Sequence, residues 1–270
     1  GSALSLSAGP PSDGTDNLAF SPSGDALAAG RSDVEVDVWS IPSGRLLRTI
    51  PTDVSHELKT ARIQGRTVET FETVTGLVAF SPTAEMAVAG RDDVIRVHRA
   101  ASSPPREIRS TKADELAWSR SGDRLATKGR WVHAIDVIDP VDGRRVRRIE
   151  PGHTLWSIAF VPGRKELAAL CGTDERTWVG IWPQDGEGEP RTIEVALGPD
   201  ERCPALSISG DGGRLAIASG SRIRVWSLAD GTLRGAIELV GEIRHLALGT
   251  DGTWLLAAVD SSLRLLDLPD

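Results

Sequence analysis

Side chains able to do chemistry are spread thinly along this chain. The five histidines, His56, His98, His133, His153 and His245, fall one to a segment, and no H-E-x-x-H pair sets two on one helix face. Metal binding wants His, Cys or carboxylates in clusters, and Cys171 and Cys203 form no C-x-x-C. Neither a G-x-S-x-G elbow nor a G-x-x-x-x-G-K-[ST] phosphate loop is present. Adjacent acids occur in "GRDDVIRV", where Asp92 and Asp93 sit at a tight turn that Asp favours by bonding its own backbone. Nothing beside the cysteines lowers a thiol pKa, so they read as small apolar fillers. The expectation is no catalytic residue, no cofactor and no metal.

The elements around these residues are written in copies. "LAFSPSGDALAAG", "VAFSPTAEMAVAG", "LAWSRSGDRLATKG", "IAFVPGRKELAAL", "LSISGDGGRLAIAS" and "LALGTDGTWLLAAV" are anchored at Phe20, Phe80, Trp118, Phe160, Ile208 and Leu248, at steps of 60, 38, 42, 48 and 40 residues. Each is followed 18 to 22 residues past its anchor by a third alternating run, such as "VEVDVWSI" or "RIRVWSL". Five then show a turn and a fourth short run, as in "DGRRVRRIE". Period-2 alternation punctuated by Gly, Asp, Ser and Pro predicts antiparallel hairpins. Four strands in about 40 residues make a blade, whose two apolar faces are buried only by neighbouring blades.

The chain resembles the WD-repeat β-propeller family. "AFSPSGD" is close to that family's first strand and turn, "VDVWS", "VGIWP" and "RIRVWS" stand where its third strand ends in Trp-Asp, and "PGHTLWSIAF" is similar to its Gly-His motif. The likeness runs from Leu18 to Leu268. None of the six third strands ends in Trp-Asp itself, so the family's buried His–Ser–Asp–Trp network is expected only in part, with His153 and Trp182 as its candidate members. The implied fold is all-β: a six-bladed propeller of four-stranded antiparallel blades. The last copy stops after its third strand, and Leu4 and Leu6 of "ALSLSAG" are expected to supply its fourth. Seven blades are the alternative, though the 60-residue step is too short for two. Gly1-Ser2 reads as a cloning remnant, and residues 3–270 as one propeller with an insertion at about 52–76. Within it "TARIQGRTVETFE" suggests a hairpin turning at Gln64-Gly65.

By the same resemblance, partners bind the end carrying the fourth-to-first and second-to-third strand connections. The residues four before each anchor lie there: Asp16, Gly76, Asp114, Trp156, Pro204 and Arg244. A tryptophan at this place has no counterpart in the other copies, and full burial of its 150–250 Å² is worth roughly 4 to 6 kcal/mol. The long connection "CGTDERTWVG" adds Trp178, and Trp131 and Arg91 stand on similar connections. Trp and Arg are enriched at binding hot spots. The candidate rim is therefore Trp156, Trp178, Trp131, Arg244, Asp16, Asp114 and Arg91. Trp39, Trp182 and Trp226 recur at one repeat position and are read as packing, Trp118 as core, and Trp254 as wedged between blades. Four arginines in "GRRVRRIEPG" are read as a solvated outer edge.

Net charge of -7 and a pI near 5.4 speak against a general nucleic-acid or membrane-surface binder. Two cysteines make no disulfide framework, which points to a reducing, cytoplasmic setting. No run of 18 apolar residues occurs. The inner strands are small and apolar, which weighs against a catalytic channel. The reading is a monomeric, non-catalytic interaction, scaffold or sensor module, a regulatory piece of a larger protein, contacting another protein or another domain of its own chain. A hydrolase or lyase using rim carboxylates is the alternative, and capture of a peptide or small ligand at the channel mouth a third.

Overall fold

The computed structural model describes residues 15–31, 35–41, 43–51, 59–63, 66–70, 77–83, 85–89, 93–99, 104–110, 113–129, 132–173, 175–186, 188–195, 197, 205–260 and 262–268. Every regular element among them is a strand. The first sheet contains β1 (Thr15–Phe20), β2 (Ala26–Arg31), β3 (Glu35–Ser40) and β4 (Leu46–Pro51) in chain order. Next come β5 (Lys59–Ile63) and β6 (Arg66–Thr70), a separate two-stranded sheet inside the 60-residue step. Ile63 pairs with Arg66, which makes the expected hairpin, while Gln64 and Gly65, its expected turn, lie outside the described residues.

The second sheet is β7 (Leu77–Phe80), β8 (Met86–Ala89), β9 (Val94–His98) and β10 (Arg106–Arg109). The third is β11 (Ala113–Trp118), β12 (Leu125–Gly129), β13 (Ile135–Ile138) and β14 (Arg145–Ile149). The fourth is β15 (Thr154–Val161), β16 (Glu166–Gly172), β17 (Thr177–Pro183) and β18 (Arg191–Val195). The fifth is β19 (Ala205–Ile208), β20 (Arg214–Ser219), β21 (Arg222–Ser227) and β22 (Leu233–Glu238). The sixth has three strands among the described residues, β23 (Ile243–Leu248), β24 (Trp254–Val259) and β25 (Ser262–Asp267). Leu263 and Leu265 on its outer strand are 71% and 67% exposed. Leu4 and Leu6, expected to pair there, lie outside the described residues.

The turn chemistry that repeats in the sequence closes the first hairpin of several sheets. Ser21 Oγ accepts the Ala26 N–H at 3.0 Å and donates to Asp25 at 2.8 Å. Ser119 repeats the pattern with Arg124 N–H at 3.0 Å and Asp123 at 2.9 Å. Gly24 and Gly122 follow with φ of 73° and 74°, a left-handed turn position that a Cβ would strain. Short polar turns of this kind let apolar alternation run unbroken on either side.

Two compact units take up the chain, Gly1–Leu116 and Ala117–Asp270, with the boundary inside β11. In the first, Ala28, Val36, Val38 and Ile50 of the first sheet pack on Val78, Met86 and Val88 of the second. In the second unit three cores follow in order. Ile135 and Val137 meet Leu155 and Leu167, then Leu170 and Val179 meet Leu215 and Ile217. Finally Ile223 and Val225 meet Leu255 and Val259. The fourth and fifth sheets thus bury one face against each neighbour, which is why single blades are not stable alone.

Candidate functional site

The position four before each anchor is a structural feature as well as a numerical one. Pairing of β15 with β16 slips between Leu155 and Ser157, leaving Trp156 as the extra residue of a β-bulge. The same slip occurs between Thr15 and Asn17, at Asp16, and between Ile243 and His245, at Arg244. Bulges re-aim a side chain out of the alternation and gather beside functional sites. The position read from spacing alone is therefore where the pairing of three of the sheets slips by one residue.

Trp156 and Trp178 come together at one end of the fourth sheet. Leu155 pairs with Cys171 across β16, and Cys171 pairs with Trp178 on the other side. The two indoles flank that end on opposite faces. Trp156 packs on the core shared with the fifth sheet, and Trp178 on the core shared with the third. Both are half-buried. A methyl group on Gly172 would sit 2.1 Å from Trp156 Cη2, so the ring lies directly over that glycine.

Trp178 gathers polar neighbours that the sequence reading did not assign to it. His153 stands edge-on to it at 5.1 Å between ring centroids, and the Arg176 guanidinium lies 5.8 Å from its centroid. Arg176 is held by Glu194 at 2.5 Å. A guanidinium over an indole adds a cation–π term of about 0.5–1 kcal/mol at an exposed site. The ring contact His153 makes is with Trp178, whereas Trp182 lies over Gly180. Lys128 was also missed. It is 7% exposed and donates to the Trp156 carbonyl at 2.9 Å.

The remaining candidates are dispersed. Arg244 is on the sixth sheet, its side chain 65% exposed and 3.6 Å from Glu242. Asp114 is half-buried in β11. Asp16 is placed by its strand only; Trp131 and Arg91 lie outside the described residues, as do Gly76 and Pro204. Trp254 departs from expectation: instead of being wedged between blades it is 39% exposed, lying against Gly249. A tryptophan that broad packs flat where its neighbour lacks a side chain.

The groups that chemistry would need are otherwise engaged. Burial pushes the Cys171 thiol up to about 12, far from a thiolate nucleophile. Asp93 takes φ of 47°, a turn-forming backbone. Asp211 and Asp230 accept backbone N–H groups two residues on, and these bonds with nearby hydroxyls hold both carboxyls low, Asp230 at about 2. Among the described residues no three His, Cys, Asp or Glu gather to hold a metal. A cavity of about 60 Å³ beside β22 and Leu268 has no carboxylate in its lining.

No protein-family model matches the chain, and no curated protein does. Solved structures match in number, 1691 chains, and fold likeness that broad cannot choose a function. Hydrazine synthase of Kuenenia stuttgartiensis aligns with a TM-score of 0.73 at 15% identity, over 94% of this chain and 83% of that one. A chain of the mitotic checkpoint complex gives 0.72 at 17%, over 94% and 76%. The Cps50 (Swd1) β-propeller domain of Myceliophteria thermophila gives 0.69 at 12%, over 94% and 82%. The fold is that of a six-bladed β-propeller with four-stranded antiparallel blades. Its six blade sheets, with a hairpin filling the long step, dispose of the seven-blade alternative.

Proposed function

We propose that this chain is a WD-repeat-like propeller over residues 3–270, with an insertion at about 52–76, that serves as a protein-interaction module. Its contact is the end of the fourth sheet. The observation carrying the proposal is the pair of half-buried tryptophans, Trp156 on a bulge and Trp178 in β17 rather than on the connection where the sequence suggested it, at the two faces of a single sheet end. Half-buried indoles retain apolar area for a partner to cover, and Arg176 beside Trp178 supplies a hydrogen-bonding rim. The acidic balance of the chain favours a protein over a nucleic acid as that partner. Two of the similar structures are a chain of a checkpoint complex and a propeller domain, and a third is an enzyme, so the fold is neutral on the point.

The test is affinity recovery of a partner from the source proteome by the intact chain, compared with Trp156→Ala and Trp178→Ala. Hot-spot tryptophans predict a loss of about tenfold or more for each. Full recovery by both folded variants rejects this face as the contact.

A further inference from the structure

We propose that Lys128, on the third sheet, is the positioning residue of the rim tryptophan on the fourth, so that the contact face is set by two sheets together. The functional part rests on the reading of Trp156 as a contact; the geometric part stands apart from it. At the matching place in their second strands the other sheets have Gly30, Ala89, Leu170, Ala218 and Ala258, so a lysine there answers no packing requirement. Its ammonium is taken almost wholly out of water, which costs free energy unless hydrogen bonds replace the hydration.

Two such bonds go to the bulge. Lys128 Nζ lies 2.9 Å from the Trp156 carbonyl oxygen and 3.5 Å from that of Leu155, the two carbonyls at the slip in register. A bulge removes backbone groups from the regular ladder and leaves them needing partners. An ammonium, with three donors on a compact head, suits two converging carbonyls better than a flat guanidinium does. From the other side the Trp156 ring is seated on Gly172, where no side chain intervenes. The backbone of Trp156 is thus fastened from the third sheet while its ring is laid on the fourth. Without the fastening the bulge is free to relax into another register, and the indole leaves its seat.

The experiment labels the full chain with 5-fluorotryptophan and follows its eight resonances by fluorine NMR. The Trp156 and Trp226 signals are identified by their loss in Trp156→Phe and Trp226→Phe. Lys128→Met is expected to move the Trp156 signal toward the position of free indole and raise its solvent isotope shift. The Trp226 signal should stay in place, and Lys128→Arg, which keeps charged donors, should restore most of the native position. An unmoved Trp156 signal in folded Lys128→Met overturns the proposal, as do Trp156 and Trp226 moving together. Should Lys128→Met not fold, Lys128→Gln replaces it, and equal displacement in Lys128→Gln and Lys128→Arg counts against a charge-assisted role. Partner recovery separates the two readings. Trp156→Ala that keeps the partner while Lys128→Met moves the signal removes the contact and leaves the positioning. Trp156→Ala that loses the partner while Lys128→Met leaves the signal unmoved removes the positioning alone.

Discussion

Ser119 and His98 show how far single side chains can be assigned to structure or to chemistry. Ser119 is 4% exposed, and its hydroxyl both receives the Arg124 N–H and donates to Asp123. Replacing it by Ala strands the part-buried Arg124 backbone donor, and Ser119→Ala is expected to cost about 1 kcal/mol. Urea unfolding checks this, and an unchanged midpoint contradicts it. His98 occupies, opposite Met86, the place that Trp39, Trp182 and Trp226 occupy opposite Leu27, Leu167 and Leu215. Its Nε2 is buried without a hydrogen-bond partner. Burial first, then Arg48 on β4 and Arg96 on its own strand, hold its pKa below the ordinary 6.5. Arg96 is also paired with Glu107 at 3.3 Å, and Arg99 next to His98 with Glu85 at 2.8 Å, so no free carboxylate of these pairs offsets a proton there. The folded chain therefore binds this proton less readily than the unfolded one. Stability should fall as pH drops below 6.5 and level off once the folded imidazole titrates. His98→Phe should flatten that slope between about pH 7 and 5, and an identical slope in the variant would count against the assignment.

At the scale of strands, broad side chains are accommodated by what faces them. Trp156, Trp182 and Trp254 each lie where a Cβ on Gly172, Gly180 or Gly249 would come within 2.3 Å of the indole. Gly180→Ala should therefore displace Trp182 and cost about 1–3 kcal/mol by overpacking. Near-UV circular dichroism together with the urea midpoint would show it, and native values for both would be the contrary result. The arginine-rich fourth strand of the third sheet is less solvated than expected from its sequence. Arg148 and Arg145 lie 3.1 and 3.5 Å from the buried Asp136, and Arg147 donates to the Pro183 carbonyl. These arginines are spent on neighbouring strands, which leaves a charged edge that discourages pairing with another sheet.

Within residues 117–270 the cores are shared in sequence, so a defect in one sheet should be felt by the next. Leu170 is fully buried in the core joining the fourth and fifth sheets. Leu170→Ala is expected to cost about 2–5 kcal/mol. Hydrogen exchange should quicken in β20 as well as β16, since nearest-neighbour interfaces carry the stability of repeat folds; quickening confined to β16 would show the sheets to be independent. Acid should act on the whole chain. Asp25, Asp123, Asp211, Asp230 and Asp251 all have pKa values held below the ordinary 3.8, through hydroxyl and backbone hydrogen bonds in their turns. Their stabilisation is present above 3.8 and is lost as pH falls toward the folded values, about 2 for Asp230. A urea midpoint that does not drop over that range would remove these turns from the account.

Strand order within the sheets and the position four before each anchor were legible in the chain alone, because alternation and turn chemistry are local properties. The place of Trp156 follows from counting back from Phe160, and the pairing of β5 with β6 from the turn residues between them. The partners of Trp178, the seat of Trp156 on Gly172 and the reach of Lys128 to the next sheet were decided only in three dimensions. These contacts join strands from different turns and different copies, and their geometry depends on which side chains share the space between sheets. The same holds for Trp254, whose exposure and seat on Gly249 no local pattern records.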